Sequence, residues 1–425
     1  MAAPRIRDIK VIETAPAGLR LSVVKILTDQ DGLYGYGCGT FTQRAELVKP
    51  AVERYLKPLL IGKETDRIED IWYAGYNSSY WRNDPVLNNA LSGVDLALWD
   101  IKARLAGMPV YQLLGGKVRE AAECYAHAGG ADIAQVLESA RALRKAGFRH
   151  IRVQVGVPNQ AAYSSGGGRS YGGGQAPSAL GRAVTGALHD EPMFEPAAYV
   201  RATLKMFEAC RAELGDEIEL LHDVHERVTP PLGLRMVKES ERFQLFFLED
   251  VFSPEDLQWY RLARRQSTTP LAMGELFNHP LEWQELVTER LIDFIRIHIS
   301  QMGGITPCRR IAAVAEAHGV RTAWHGPGDV SPVGHAANLA LDLTCSTFGI
   351  RELVAFNEAT LEVFRGCPET RDGYLYANES PGWGIEVDER AAAKYPFGHL
   401  ETGERQRLHG GWGTVRRRDG AVIKQ

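Results

Sequence analysis

The sequence predicts an α/β fold: an α+β segment of about 119 residues, then a parallel-strand barrel of the (β/α)₈ type. Two observations carry this expectation. Beyond residue 120, short apolar strands alternate with amphipathic helices through eight repeats. Three acids, Asp223, Glu249 and Glu275, stand at strand C-terminal ends at equal steps of 26 residues. An open doubly wound sheet is the alternative. It would gather its site residues at one switch point rather than spread them over successive strand ends.

The elements follow in order. Residues 6–13 alternate apolar and polar, 21–28 are rich in Val, Ile and Leu, and 32–39 form a glycine-punctuated strand. Helical patterns follow at 45–60 and 67–76. A stronger one runs from Asn88 to Ala106, with Leu91, Val94, Leu98, Ile101 and Leu105 on one stripe and Gly107 and Pro109 beyond its end. Strands are then expected at 123–127, 150–157, 219–225, 245–251, 271–276, 293–299, 321–325 and 352–356. Helices are expected between them at 133–146, 196–214, 234–242, 280–291 and 308–318. The predicted division is 1–119, 120–370 and a C-terminal segment 371–425. Residues 164–190 break the rhythm with a Gly- and Ser-rich stretch, read either as a lid or as an insertion without a role.

Bulk properties exclude several functions. The 425 residues carry 49 Lys plus Arg against 53 Asp plus Glu, a formal net charge of −4. That balance gives no electrostatic footprint for nucleic acid or an anionic membrane. The basic run Arg416–Arg418 reads as a solvated tail. The six cysteines, at 38, 124, 210, 308, 345 and 367, form no CxxC pair and read as reduced thiols. The N-terminus has no signal-peptide h-region, and no apolar run approaches the roughly 18 residues of a membrane span. A soluble cytoplasmic protein is expected.

The chemistry is expected at the strand ends. Three carboxylates converging at one mouth repel one another unless a hard cation lies between them. Oxygen ligands of this kind suit Mg²⁺, whereas zinc would call for Cys or His. His225 follows Asp223 by two residues, so strand alternation puts both on one face and His222 on the other. That makes His225 a candidate general acid. His325 ends the seventh strand before a Gly-Pro-Gly turn and also reaches the mouth. Arg152 and Gln154 share a face of strand two. A guanidinium beside Tyr163 would favour the phenolate and make Tyr163 a candidate base.

These motifs resemble a known family. The markers are Asn88 to Asp100 (NNALSGVDLALWD), Pro109 to Gly116 (PVYQLLGG) and Leu221 to His225 (LHDVH). With them go Leu248-Glu249-Asp250, Gly274-Glu275, Gly303 to Thr306 and His325 to Asp329. Together they resemble the enolase superfamily, and within it the D-mannonate dehydratase branch, related to mandelate racemase and muconate-lactonising enzymes. The resemblance implies a (β/α)₇β TIM-type barrel with an α+β capping domain built from the N-terminal segment and the C-terminal tail.

It further implies that Asp223, Glu249 and Glu275 bind Mg²⁺, and that Tyr163, assisted by Arg152, is the base. His225 would be the acid, and His127, Glu275, Arg296, His325, Asp329 and Glu352 would position the substrate. The implied reaction takes a sugar acid, D-mannonate or D-gluconate, to 2-keto-3-deoxy-D-gluconate in a homo-oligomeric enzyme. Some positions depart from the family pattern. Arg152-Val153-Gln154 replaces the common Lys-x-Lys, and His298 stands where racemases place an Asp. Thr42 stands where many members have Asn. Pro327 replaces an Ala, a change that goes with weak dehydration and with D-gluconate. An epimerase, a dehydratase of another acid sugar and a non-catalytic paralogue that binds metal and acid are the rival readings.

Overall fold

The structure, a computed structural model, describes residues 3–156, 194–328 and 330–397, with Arg417 and Ala421. The chain forms two compact units. Among the described residues, one comprises 3–123, Gly274–Gln284, 295–328 and 330–397; the other comprises 124–156, 194–273 and Glu285–Phe294.

In the first unit, β1 (Ile6–Thr14), β2 (Leu21–Thr28) and β3 (Tyr34–Cys38) make an antiparallel sheet in that order. Ile6 and Ile9 are both buried although three residues apart, because the register slips between Ile6 and Asp8. Without that slip, a period of two would send one of them to solvent. The helix expected from Asn88 begins at Pro85. Asp84 caps it by accepting from Leu87 N–H at 2.9 Å, Pro85 fills the first turn, and Gly107 ends it at φ 66°. The sequence shows one apolar stripe, but the helix is buried on nearly every side from Asn88 to Ile101. Glycine permits this: a Cβ on Gly37 would lie 2.0 Å from the Gly93 carbonyl oxygen, so β3 rests directly on the helix backbone.

The same helix fastens later parts of the unit. Asn88 Nδ2 donates to the carbonyls of Asn278 and Gln301, and Trp99 Nε1 donates to Thr306 Oγ1. Thr306 N–H donates to Asp95 Oδ2 at 3.0 Å. That donor lies in the first turn of the Ile305–His318 helix, whose N-cap is a glycine with no side chain to offer. Asp95 therefore caps this helix from another one. Gly304, at φ 107°, makes room, since a Cβ there would meet the Asp95 carboxyl at 2.4 Å. Downstream, this unit resumes at Ile295, the second residue of β9 (Phe294–Ile295); Ala323 and His325 N–H, just past β10 (Arg321–Thr322), donate to the carbonyls of Ile295 and Ile297. Strand β11 is Arg351–Glu352.

In the second unit, which begins at the third residue of β4 (Ala122–Gly130), that strand, β5 (His150–Val155), β6 (Glu219–Asp223), β7 (Phe247–Glu249) and β8 (Leu271–Met273) are parallel neighbours in chain order. Helices Ile133–Lys145, Pro196–Leu214, Pro230–Ser240 and Leu257–Gln266 stand between them. This is the alternation the sequence predicts. The strands are shorter than their apolar runs, however. β7 covers 247–249 of an expected 245–251, because Asp250 turns into the left-handed region at φ 46° and leaves the ladder. No helix among the described residues is long and apolar enough to cross a membrane.

Asp95 gives a stability prediction. Burial pushes its carboxyl up to about 7, opposed by the Thr306 hydrogen bonds. A raised folded-state value means the contribution is fully present below the unfolded value near 4 and is lost as pH rises through 7. Asp95→Asn keeps an acceptor for Thr306 and cannot ionise. Urea unfolding at pH 5 and pH 8 is expected to show the variant gaining about 2 kcal/mol on wild type across that interval. A pH-independent difference would count against it.

Candidate active site and metal centre

In the second unit the register sets the site. Asp223 lies opposite Glu249 across β6 and β7, so both side chains leave the same face as neighbours. Arg152 pairs with Leu221, one pleat before Asp223, and with His127 on β4. Its Nη2 reaches Asp223 Oδ2 at 3.3 Å. His222, between Leu221 and Asp223, faces the other way, with ring nitrogens 2.7 Å from Tyr199 Oη and from the Val153 carbonyl. Burial holds its pKa down at about 3, so it is a neutral core histidine.

His225 arrives by a different route from the one expected. β6 ends at Asp223, and His225 sits in the left-handed region at φ 52°. Strand alternation therefore does not place it. A turn does: His225 N–H donates to Asp223 Oδ1 at 2.9 Å, and the ring folds back so that Nε2 lies 2.7 Å from Asp223 Oδ2. Glu226, at φ 54°, follows, and its N–H donates to the Asp250 carbonyl. The two strand ends thus brace each other in strained backbone, a feature that concentrates at functional sites.

The third acid is not presented by register. Glu249 pairs with Ala272, and β8 ends at Met273, so Glu275 is not the register partner of Glu249. It follows Gly274, whose φ of 153° carries the chain past Arg296; a Cβ at Gly274 would meet Arg296 backbone at 2.7 Å.

In the first unit, Glu275 Oε2 lies 2.7 Å from His325 Nε2. Arg296 and Glu352, both fully buried, pair at 2.9 Å, and Arg296 Nη1 also donates to the Ala323 carbonyl. The His298 and His325 ring centroids are 5.3 Å apart. Burial pushes His298 down to about 3, and its Nδ1 accepts from Ser300 N–H at 3.2 Å, which leaves any ring proton on Nε2. Thr42 is buried at the start of a short 3₁₀ turn, Thr42–Arg44. Tyr163, Asp329 and the Gly-rich stretch lie outside the described residues.

The donor set fits a hard divalent ion. Asp223, Glu249 and Asp250 are at most 1% exposed and Glu226 is 7% exposed, so negative charge is concentrated where water cannot screen it. The ligand candidates are carboxylates, which suit Mg²⁺ better than zinc. The sequence reading missed the strain at His225, Glu226 and Asp250. An acid directly following the strand-end acid Glu249 was the available signal for Asp250; a positive φ at a non-glycine leaves none.

Residues 3–115 match the mandelate racemase / muconate lactonizing enzyme N-terminal domain, and residues 135–391 match the enolase C-terminal domain-like family. The chain belongs to the enolase superfamily. A D-galactonate dehydratase family member from Salmonella enteritidis, SEN1436, is 49% identical over 409 residues, covering 92% of this chain and 94% of that one. The family member RspA of Pantoea ananatis is 48% identical over 404 residues, with 92% and 94% covered. A crystal structure of an enolase from Pantoea ananatis with bound D-gluconate and Mg superposes with a TM-score of 0.92 at 46% identity, covering 99% of this chain and 100% of that one. The fold is that of the superfamily, an α/β barrel of parallel strands with an N-terminal α+β domain. The protein is an enzyme of the dehydratase kind, a carbon–oxygen lyase.

Glu249→Gln keeps the shape of the side chain and removes one charge from the candidate ligand set. Calorimetric Mg²⁺ titration is expected to show at least tenfold weaker binding with the fold retained; unchanged affinity would remove Glu249 from the metal centre.

Proposed function

We propose that this enzyme is a Mg²⁺-dependent dehydratase of sugar acids, with D-gluconate and D-mannonate as candidate substrates and 2-keto-3-deoxy-D-gluconate as product. The carrying observation is the register pair Asp223 and Glu249, with Arg152 and His225 both on Asp223. In this reading Asp223, Glu249 and Glu275 hold Mg²⁺. The ion, when bound, supplies a Lewis acid for the substrate carboxylate and charge to stabilise the enediolate. D-Gluconate is favoured because the similar Pantoea ananatis enzyme carries it with Mg and because Pro327 goes with that preference.

The chain's own residues then divide the work. Tyr163, its phenolate favoured by Arg152, takes the C2 proton. The electron pair left at C2 passes into the enediolate and then expels the C3 hydroxyl. His225 gives that hydroxyl a proton, so it departs as water, and the enol becomes the 2-keto product. Asp223 orients the His225 ring for this step. His127, Arg296, His325, Asp329 and Glu352 position the substrate, with Arg296 and Glu352 already fixed by their buried pair. His298 in place of a carboxylate argues against epimerisation, because a buried neutral ring cannot stabilise a cationic His325 as an Asp would. Self-association belongs to the same reading and rests on the family resemblance; a cytoplasmic location rests on the scattered, unpaired cysteines.

Incubation with Mg²⁺ and D-gluconate, D-mannonate or D-galactonate, assayed for 2-keto-3-deoxy acids, tests it. Slow turnover, greatest with D-gluconate, is expected; none with any acid would end the proposal. His225→Asn is expected to bind Mg²⁺ within a fewfold of wild type while losing at least a hundredfold in kcat. Normal dehydration by that variant would place the acid elsewhere.

A further inference from the structure

The turn that carries His325 leaves the sheet after a single parallel bridge, His325 to His298, and side chains hold the backbone groups beyond it. The holding groups come from the Pro332–Thr344 helix and from β11. Asn338 Nδ2 donates to the His325 carbonyl at 3.2 Å. Gly326 N–H donates to Glu352 Oε2 at 3.1 Å. His335 Nε2 lies 3.3 Å from the Pro327 carbonyl. His335 and Asn338 are three residues apart and so share a helix face. Both are buried, as is Arg351.

Arg351 fixes the chemistry of this layer. Its Nη2 lies 2.6 Å from His335 Nδ1. A guanidinium only donates, so Nδ1 accepts and the ring proton sits on Nε2, aimed at the Pro327 carbonyl. Burial, with Arg351 beside it, holds His335 well below its ordinary pKa, which keeps the ring neutral and in this single tautomer. Arg351 also lies flat against the turn: a Cβ on Gly326 would come within 3.1 Å of its nitrogens. A side chain at 326 would press on the guanidinium, which would have to give by a few tenths of an ångström.

We propose that Asn338 and His335, the latter with its tautomer set by Arg351, are positioning residues that fix the His325–Pro327 turn and thereby aim His325 at the substrate. The proposal rests on the dehydratase reading for its catalytic consequence and on the hydrogen-bond geometry for its structural one. Neither residue touches the candidate metal ligands by the bonds described. Their effect would pass through the backbone of His325. A shift of about 1 Å in a group that orients substrate costs on the order of a hundredfold in rate.

Two measurements on the full-length Mg²⁺-loaded enzyme test it. The first is long-range ¹H–¹⁵N correlation of the histidine rings. Expected are a bare Nδ1 and a protonated Nε2 for His335, and a changed His325 ring signal in Asn338→Ala. The opposite His335 tautomer, a doubly protonated ring, or an unmoved His325 signal would overturn the proposal. The second is kinetics. Asn338→Ala and His335→Phe are expected to lose ten- to a hundredfold in kcat, with KM and Mg²⁺ affinity within a fewfold of wild type. His335→Gln, which can offer an amide N–H to Pro327 and an oxygen to Arg351, is expected to recover most of the loss and covers the case in which the Phe variant does not fold. Lower melting temperatures with unchanged kcat would reduce both residues to structural roles. If wild type turns over no sugar acid, the dehydratase reading fails, while the ring signals still decide whether the turn is held as described.

Discussion

The rest of the second unit is arranged around one costly juxtaposition: the carboxylates of Asp223 and Glu249, side by side on adjacent parallel strands and almost fully buried. Two ionised acids in that position repel each other and lack water to screen them. The neighbourhood answers this with positive charge and directed donors. Arg152 comes from the adjoining strand, His225 folds its ring back, and its backbone N–H points at the same carboxylate. A site that spends stability on concentrated negative charge is suited to a divalent cation, and the family to which the chain belongs gives that charge a chemical use.

Keeping functional groups at strand ends has a backbone consequence. His225, Glu226 and Asp250 all adopt positive φ without being glycine, at a cost of order 1 kcal/mol or more each. The strain is held by hydrogen bonds that continue from strand to strand after the ladder has ended: Val224 N–H to Glu249, Glu226 N–H to Asp250, and Asp250 N–H to Ala272 carbonyls. Rigid strands set the origin of each side chain, and the braced turns set its direction.

The first unit uses the same economy of polar contacts in its core. Asp95 caps a helix that has only glycine at its own N-cap, and Asn88 satisfies two loop carbonyls at once. Behind His325, an asparagine, a glutamate and an arginine-fixed histidine hold three consecutive residues of turn backbone. Buried backbone groups must find partners, and here side chains supply them because the ladder stops at the His325–His298 bridge.

The sequence by itself determined the α/β class and the order of elements, because a period of two changing to 3.6 and back is written in the apolar residues. It also put Asp223 and Glu249 at strand ends, where β6 and β7 do end. It misjudged how Glu275 and His225 are presented. Equal 26-residue steps suggested that register presents all three acids, but Glu249 pairs with Ala272, and the Gly274 turn presents Glu275. Alternation suggested that His225 shares a strand face with Asp223, but a left-handed turn brings it there. The Pro85–Ala106 helix read as one apolar stripe and is buried almost all round, because glycines let a strand lie against its backbone. The layer of Asn338, His335 and Arg351 left no trace at all. Periodicity records which side of an element is apolar; register, positive φ and side-chain partners depend on residues far away in the chain, and only folding brings those together.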